Sequence, residues 1–395
     1  MNRHGVALMS AAHVVDDLYQ GVVPALLPFF VLERHYSYAA VAGLTLAATM
    51  LSSVAQPFFG WWTDRGSRRW MIPAGILTAG VGAALAGLSS SYLITWAVIA
   101  LSGLGVAAFH PEAARAARQA SGKSNRAMSV FALGGNAGFA LGSVVATLVL
   151  LTGGLRATWL LVLPAVVMSL LLLSRLDRVL DGRVGHRRTH TMPTGNDDWP
   201  AFLRLTAVVV VRSILFFGLS SFLALYFIRA LGASTALGGA ALTVFLVAGA
   251  GGTLLGGWIA DRLGRLFSIR IGFSLAIPGL LGLVLAGNQS VALIFVVLTG
   301  IGVFMPFSVF VVMGQDCLPN RIGTASGVTV GLAVTVGGLF SPLFGRLADL
   351  VGLRFTLATF ILLPVLALLL SLLLTEPRNP VSHLRVVNPA ADRSG

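Results

Sequence analysis

Twelve apolar stretches follow one another along this chain, at about 6–32, 39–62, 71–89, 92–112, 127–151, 157–174, 204–230, 237–260, 269–287, 291–314, 323–345 and 355–374. A helix needs about 20 apolar residues to cross the hydrocarbon core of a bilayer, and each stretch is close to that length. Gly and Pro interrupt several of them, which a helical bundle tolerates because neighbouring helices and water satisfy the freed backbone groups. Of the 395 residues, 56% are apolar and only 10% charged, against roughly 25% in an ordinary soluble domain. Exposed to water, that apolar surface would form a large sticky patch, so a soluble enzyme is excluded. The sequence predicts an all-α membrane protein with twelve transmembrane helices. The first span begins within a few residues of Met1 and shows no small-residue cleavage site, so it reads as a retained span rather than a signal peptide.

The charges orient the spans. Lys and Arg total 27 against 14 acidic residues, a net charge of +13, and every basic residue except Lys123 is arginine. With alternating spans, 21 of them fall on the side of the N-terminus and five on the other (Arg34, Arg156, Arg229, Arg346 and Arg354), while Arg212 lies within a span. Basic residues collect on the cytoplasmic side, so both termini are expected there, in a bacterial inner membrane. The asymmetry accounts for the basic balance without nucleic acid. The single cysteine, Cys317, excludes an intrachain disulfide and a Cys-based metal cluster.

The chain repeats itself at an offset of 197 residues. Gly60-Trp61-Trp62-Thr63-Asp64-Arg65 returns as Gly257-Trp258-Ile259-Ala260-Asp261-Arg262. Leu101, Gly103, Gly105 and Val106 match Leu298, Gly300, Gly302 and Val303, and Gly21, Ser129 and Gly134 match Gly218, Ser326 and Gly331. Six spans per half give both halves the same orientation, and parallel six-span repeats around a midplane cavity are transporter architecture. The expected units are 1–174, a polar cytoplasmic linker 175–203, a second bundle 204–374 and a tail 375–395.

The loop GWWTDRGSRR (Gly60 to Arg69) resembles the loop between the second and third spans of the major facilitator superfamily, and GWIADRLGR (Gly257 to Arg265) resembles its second-half copy. Three further segments resemble the fosmidomycin-resistance branch of drug exporters: His13 to Gly21 with Pro24 and Pro28, Phe109 to Arg115, and Gly134 to Gly142. The resemblance implies two six-helix bundles that rock about a cavity, and proton-driven export of a small drug-like or toxic compound. Import of a metabolite such as an organic acid or sugar is the alternative on the same fold. The chain departs from the antiporter pattern in two places. Ser143 follows Gly142 where a proline is usual, and Ile99 and Ala100 stand where many drug antiporters place an arginine.

Ionisable groups at membrane depth are expensive and usually functional. His13, Asp16, Asp17 and Gln20 share one face of the first span. Asp16 lies about ten residues in, roughly 15 Å deep. A carboxyl removed from water takes up a proton more readily, which is what proton coupling needs. Two adjacent carboxyls cannot cheaply both ionise, so Asp16 or Asp17 is the expected exchanging group. Arg212, offset-equivalent to Val15, is expected across the cavity, where it neutralises the carboxylates or grips an anionic substrate; its other reading is snorkelling to the membrane surface. His110 and Glu112 flank Pro111 at the end of the fourth span and suggest a substrate or relay role, against simple pairing of Glu112 with Arg115 or Arg118. Asn136 accompanies the small-residue stripe Gly134, Gly138, Gly142, which lets helices approach closely.

The loops with Gly60, Asp64 and Arg65 and with Gly257, Asp261 and Arg262 read as latches that hold one face shut. A metal-dependent hydrolase using His13, Asp16, His110 and Glu112 is the rival from another class, and the parallel repeat argues against it. Neither enzymatic activity, a cofactor nor a metal is expected. The glycine runs lack the Lys-Ser/Thr of a phosphate loop, so ATP-driven transport is not expected either. The expected partners are the lipid bilayer, protons and a small-molecule substrate, and nothing demands more than a monomer.

Overall fold

The computed structural model describes residues 2–121, 125–180, 196–321, 324–325 and 327–376. Helices α1 (Arg3–Glu33), α2 (Tyr38–Asp64), α3 (Met71–Leu85), α4 (Tyr92–Ser121) and α5 (Asn125–Gly153) form the first five passages. A 3₁₀ turn at Gly154–Leu161 leads into α6 (Val162–Leu180). The second half begins with α7 (Trp199–Ala230), α8 (Thr235–Leu263) and α9 (Arg265–Leu285). Its tenth passage is α10 (Gln289–Phe304) followed by α11 (Phe307–Cys317). The eleventh joins a π-helical turn, Gly327–Leu332, to α12 (Ala333–Val351), and the twelfth joins α13 (Leu353–Thr359) to α14 (Leu362–Ser371).

Several helices start where a short polar side chain replaces the missing intrahelical acceptor. Ser37 accepts the amide of Ala40 and Ser234 that of Leu237, at the same 197-residue offset as the sequence repeat. Asn2, Asp198 and Asn288 cap α1, α7 and α10 in the same way.

The repeat has a packing counterpart in its glycines. A methyl on Gly75 would stand 2.8 Å from the carbonyl oxygen of Gly105, and one on Gly272 would stand 3.0 Å from that of Gly302, each pair at the offset of 197. Likewise Gly103 lies against the backbone of Ala48 and Gly300 against that of Phe245. The second and third helices of each half thus press onto the fourth at matching points, close enough that a side chain would separate them. Within the first half, Gly134, Gly138 and Gly142 of α5 face the backbone of Ser10, Val14 and Leu18 of α1.

The first helix of each half, α1 and α7, is buried along most of its length. Leucines of α6 and α14 such as Leu170, Leu173, Leu362 and Leu369 are exposed and form lipid-facing surface. Several boundaries differ from the sequence reading. Helix α4 runs to Ser121 instead of ending near Glu112, because Ala113, Ala116, Ala117 and Ala120 are buried, and the last of these packs on Gly5 of α1. The tenth span breaks at Met305–Pro306, where proline cannot continue the backbone ladder. The twelfth breaks at Phe360–Ile361. Helix also occupies both ends of the expected linker, up to Leu180 and from Trp199. Residues 181–195 of that linker and 377–395 of the tail lie outside the described residues.

On the face away from the N-terminus the halves are joined. Asp349, near the end of α12, accepts the amides of Tyr38 and Ala39 at 2.8 and 3.0 Å. Thr45 bonds Ser221 at 3.1 Å, and Ser143 bonds Thr243 at 2.8 Å. Gly345 lies on the backbone of Tyr38 and Ala39, and Gly239 on Thr147. The carboxylate of Asp349 thereby caps a helix of the other half.

Candidate functional site

Between the halves, and toward the face that carries the N-terminus, lies a cavity of about 380 Å³. Helix α1 contributes His13, Asp17 and Gln20, α4 contributes His110, and α5 contributes Gly135, Asn136 and Phe139. The second half supplies Arg212, Phe216, Phe304 and Phe307 among others. Its wall is predominantly apolar and aromatic, and the polar groups converge from two sides.

On the first-half wall, Asp17 sits between two imidazoles. His13 Nε2 is 3.3 Å from Asp17 Oδ2, and His110 Nε2 is 3.3 Å from Asp17 Oδ1. Gln20 Nε2 donates to the same carboxylate. Each imidazole turns its other nitrogen to a backbone carbonyl: His13 Nδ1 lies 2.8 Å from Phe131 O, and His110 Nδ1 lies 2.9 Å from Val106 O. A carbonyl only accepts, so both Nδ1 atoms carry hydrogen and both Nε2 atoms face the carboxylate. His13 is further held by stacking on Phe131, with ring centroids 4.3 Å apart.

Asp16 lies behind this layer with no solvent exposure. Its Oδ2 is 3.4 Å from His110 Nδ1, and neither oxygen has a hydrogen-bond partner among the described residues. Four of the sequence candidates therefore form one cluster of two carboxylates and two imidazoles, with Asp17 at the cavity and Asp16 out of reach of it.

Arg212 faces the cavity from α7 and is 7% exposed. Its Nε donates to Val303 O at 3.0 Å, and its guanidinium carbon lies 5.0–5.1 Å from the ring centroids of Phe216, Phe304 and Phe307. Among the described residues no carboxylate lies within ion-pair reach of it. It points inward rather than snorkelling, and the rings supply cation–π contacts in place of a counter-ion.

Glu112 does not line the cavity. It is 1% exposed, accepts from Ser67 Oγ at 2.7 Å and from the amide of Arg68 at 3.1 Å, and lies 3.8 Å from Arg115. Projecting from α4 two residues beyond His110, it turns away and ties down the loop between α2 and α3. Arg115 joins it by donating to Thr63 O at 2.8 Å.

Arg65, Arg262 and Arg265 of the repeated loops make their contacts within their own halves. Arg65 stacks on Trp61 at 3.3 Å and Arg262 on Trp258 at 4.3 Å, again at the repeat offset. Arg265 pairs with Asp316. Asp261 is exposed, Gly60 and Gly257 are open to added atoms out to at least 3.7 Å, and the side chain of Asp64 lies outside the described residues.

The sequence reading passed over Gly135. A methyl there would stand 2.8 Å from His13 Nε2 and would press on Asp17, so its missing side chain makes room for the cluster. The doublet Gly134-Gly135 was the available signal, read only for its helix-packing member. The aromatic box around Arg212 gave no signal, since its residues come from three helices.

A family model for the Major Facilitator Superfamily matches residues 9–342. The uncharacterized MFS-type transporter YfnC of Bacillus subtilis (strain 168) is 30% identical over 380 residues, covering 94% of this chain and 93% of that protein. The fosmidomycin resistance protein of Escherichia coli (strain K12) is 29% identical over 371 residues, covering 91% and 90%. Among solved structures, a bacterial homologue of the human lysosomal transporter Spinster, in an inward-facing and occupied conformation, superposes with a TM-score of 0.79 at 16% identity over 93% of this chain and 95% of that one. The nucleoside transporter NupG superposes with a TM-score of 0.75 at 10% identity, over 93% and 99%. Twelve helical passages among the described residues, in two like-oriented halves around a central cavity, agree with these likenesses: the chain is a multi-pass membrane protein and belongs to the Major Facilitator Superfamily of transporters.

Proposed function

We propose that this chain is a proton-coupled exporter of small drug-like compounds, working by alternating access in a bacterial cytoplasmic membrane with both termini in the cytoplasm. The observation that carries the reading is the pairing, across one cavity, of the Asp17 cluster with the isolated cation Arg212. Such a cavity suits a compound with an acidic group at one end and a hydrogen-bond donor or basic group at the other. The acidic group pairs bidentately with the guanidinium. The donor end needs Asp17 as a carboxylate, so proton and substrate exclude one another at that atom. Exclusion of this kind is the basis of exchange, because the site returns loaded with whichever ligand the opposite face supplies.

The excess of basic residues on the N-terminal face supports the orientation. The contacts Asp349–Tyr38, Thr45–Ser221 and Ser143–Thr243 close the other face, so the cavity sits where a cytoplasmic substrate enters. In this reading 1–174 and 204–374 are the rocking units, and the loops at Asp64–Arg65 and Asp261–Arg262 latch the cytoplasmic face once the halves close over it. The relative named for fosmidomycin resistance supports a drug-like cargo.

The test is proton movement in inside-out vesicles that hold a pH gradient, with and without the protein, as candidate compounds including fosmidomycin are added singly. Collapse of the gradient that depends on both protein and compound supports the reading. Silence across a broad panel with correctly inserted protein overturns it and leaves import of a small metabolite.

A further inference from the structure

We propose that His13, Asp17 and His110 form a divalent transition-metal site that opens on the cavity, with Asp16 orienting His110 from behind. The three ligand-bearing side chains converge so that their donor atoms lie within 4.8 Å of one another. Nitrogen and carboxylate ligands bind zinc at about 2.0–2.2 Å, so neighbouring donors of a tetrahedral shell stand roughly 3.3–3.5 Å apart. His13 Nε2 is 3.3 Å from Asp17 Oδ2 and His110 Nε2 is 3.3 Å from Asp17 Oδ1, so each imidazole already has the nitrogen–oxygen spacing of such a shell, and the set draws together from within 4.8 Å to close it.

The surroundings fit a ligand set as well as the ligands do. Metal-binding histidines donate their second ring N–H to a carbonyl or carboxylate, which fixes tautomer and orientation. Here both Nδ1 atoms are so engaged, with Phe131 O and Val106 O, and the Nε2 lone pairs are left for the ion. Asp16, fully buried and without a hydrogen-bond partner among the described residues, stands 3.4 Å from His110 Nδ1. It stands beside the ring as a further acceptor next to the Nδ1–H that Val106 O takes, so its part is to hold the orientation of His110. Gly135 removes the side chain that would block the ion from the α5 side, and the cavity leaves room for water or a substrate oxygen at the remaining position. Zinc, with its tolerance of mixed nitrogen and oxygen ligands, is the fitting cation. Bound there, it occupies Asp17 and arrests transport.

The experiment uses the full chain in detergent, purified without a histidine tag, with zinc measured by titration calorimetry and cobalt(II) by its visible absorption. We expect one ion per chain. Replacing His4, His35, His186, His190 and His383 together leaves the cluster as the only histidines, and binding is retained. His110→Asn and His13→Asn each weaken binding by at least about tenfold, and Asp16→Asn, which touches no ligand position, weakens it by about 10- to 100-fold at unchanged stoichiometry. Absence of binding to folded wild-type protein overturns the proposal, as does loss of binding in the five-histidine variant. Undiminished binding in folded His110→Asn does so too. These readouts involve no transport, so they stand whether or not the chain exports drugs.

Discussion

His110 Nε2 lies 3.3 Å from Asp17 Oδ1, joining the fourth helix to the first at the wall of the central cavity. The contact links two positions 93 residues apart, and it turns a carboxylate that shares a helix face with His13 into the centre of a three-residue cluster.

Asp17→Asn removes the ionisable atom at the cavity while keeping its shape and its bond to Gln20. Substrate-driven collapse of a pH gradient in vesicles is expected to disappear, while downhill exchange of labelled substrate between the two sides persists. If gradient collapse survives in Asp17→Asn, coupling lies elsewhere.

Arg212→Lys keeps the charge but loses the planar fork and its three aromatic contacts. The half-saturating concentration of an acid-bearing substrate should rise about tenfold, or roughly 1.4 kcal/mol, with little change for an uncharged analogue. Equal effects on both compounds would show that the guanidinium does not read the acid.

Asp349→Ala removes the cap that spans the two halves at the closed face. Such caps contribute about 1 kcal/mol, so the equilibrium should move roughly fivefold toward conformations open on that face. Spin labels at Ser91 and Gly287, both exposed on that face, would report longer separations. An unchanged distance distribution would mean that the cap does not bias the two states.

Gly138→Leu sets a branched side chain against the backbone of Val14. Overpacking of this kind costs about 1–3 kcal/mol, so thermal unfolding in detergent should occur at lower temperature. Gly135→Ala, in contrast, should leave unfolding nearly unchanged and impair gradient collapse, because the methyl meets the tips of His13 and Asp17 rather than backbone.

The spans, their parallel repeat and the candidate polar face of α1 were legible because each rests on local or periodic information. Hydrophobic length predicts a crossing, and the 197-residue offset reappears in the Ser37/Ser234 caps, the Arg65/Arg262 stacks and the paired glycine contacts. Helix breaks were less legible. Pro306 interrupts its helix while Pro111 does not, since α4 is continued by small residues buried against α1.

What the sequence by itself determined, then, was the membrane-spanning class, the two-half organisation and the list of costly polar residues, all set by hydrophobicity, spacing and charge. Which of those residues share a site was decided only by tertiary structure. Glu112 and His110 are two residues apart on one helix, yet they point to a loop anchor and to the cavity, because successive helical positions diverge by about 100°. Asp16 and Asp17 are adjacent, yet only Asp17 reaches the cavity. Arg212 meets its aromatic box through helices that come together only when the second bundle packs. Such relations depend on helix rotation and crossing, which no local pattern encodes.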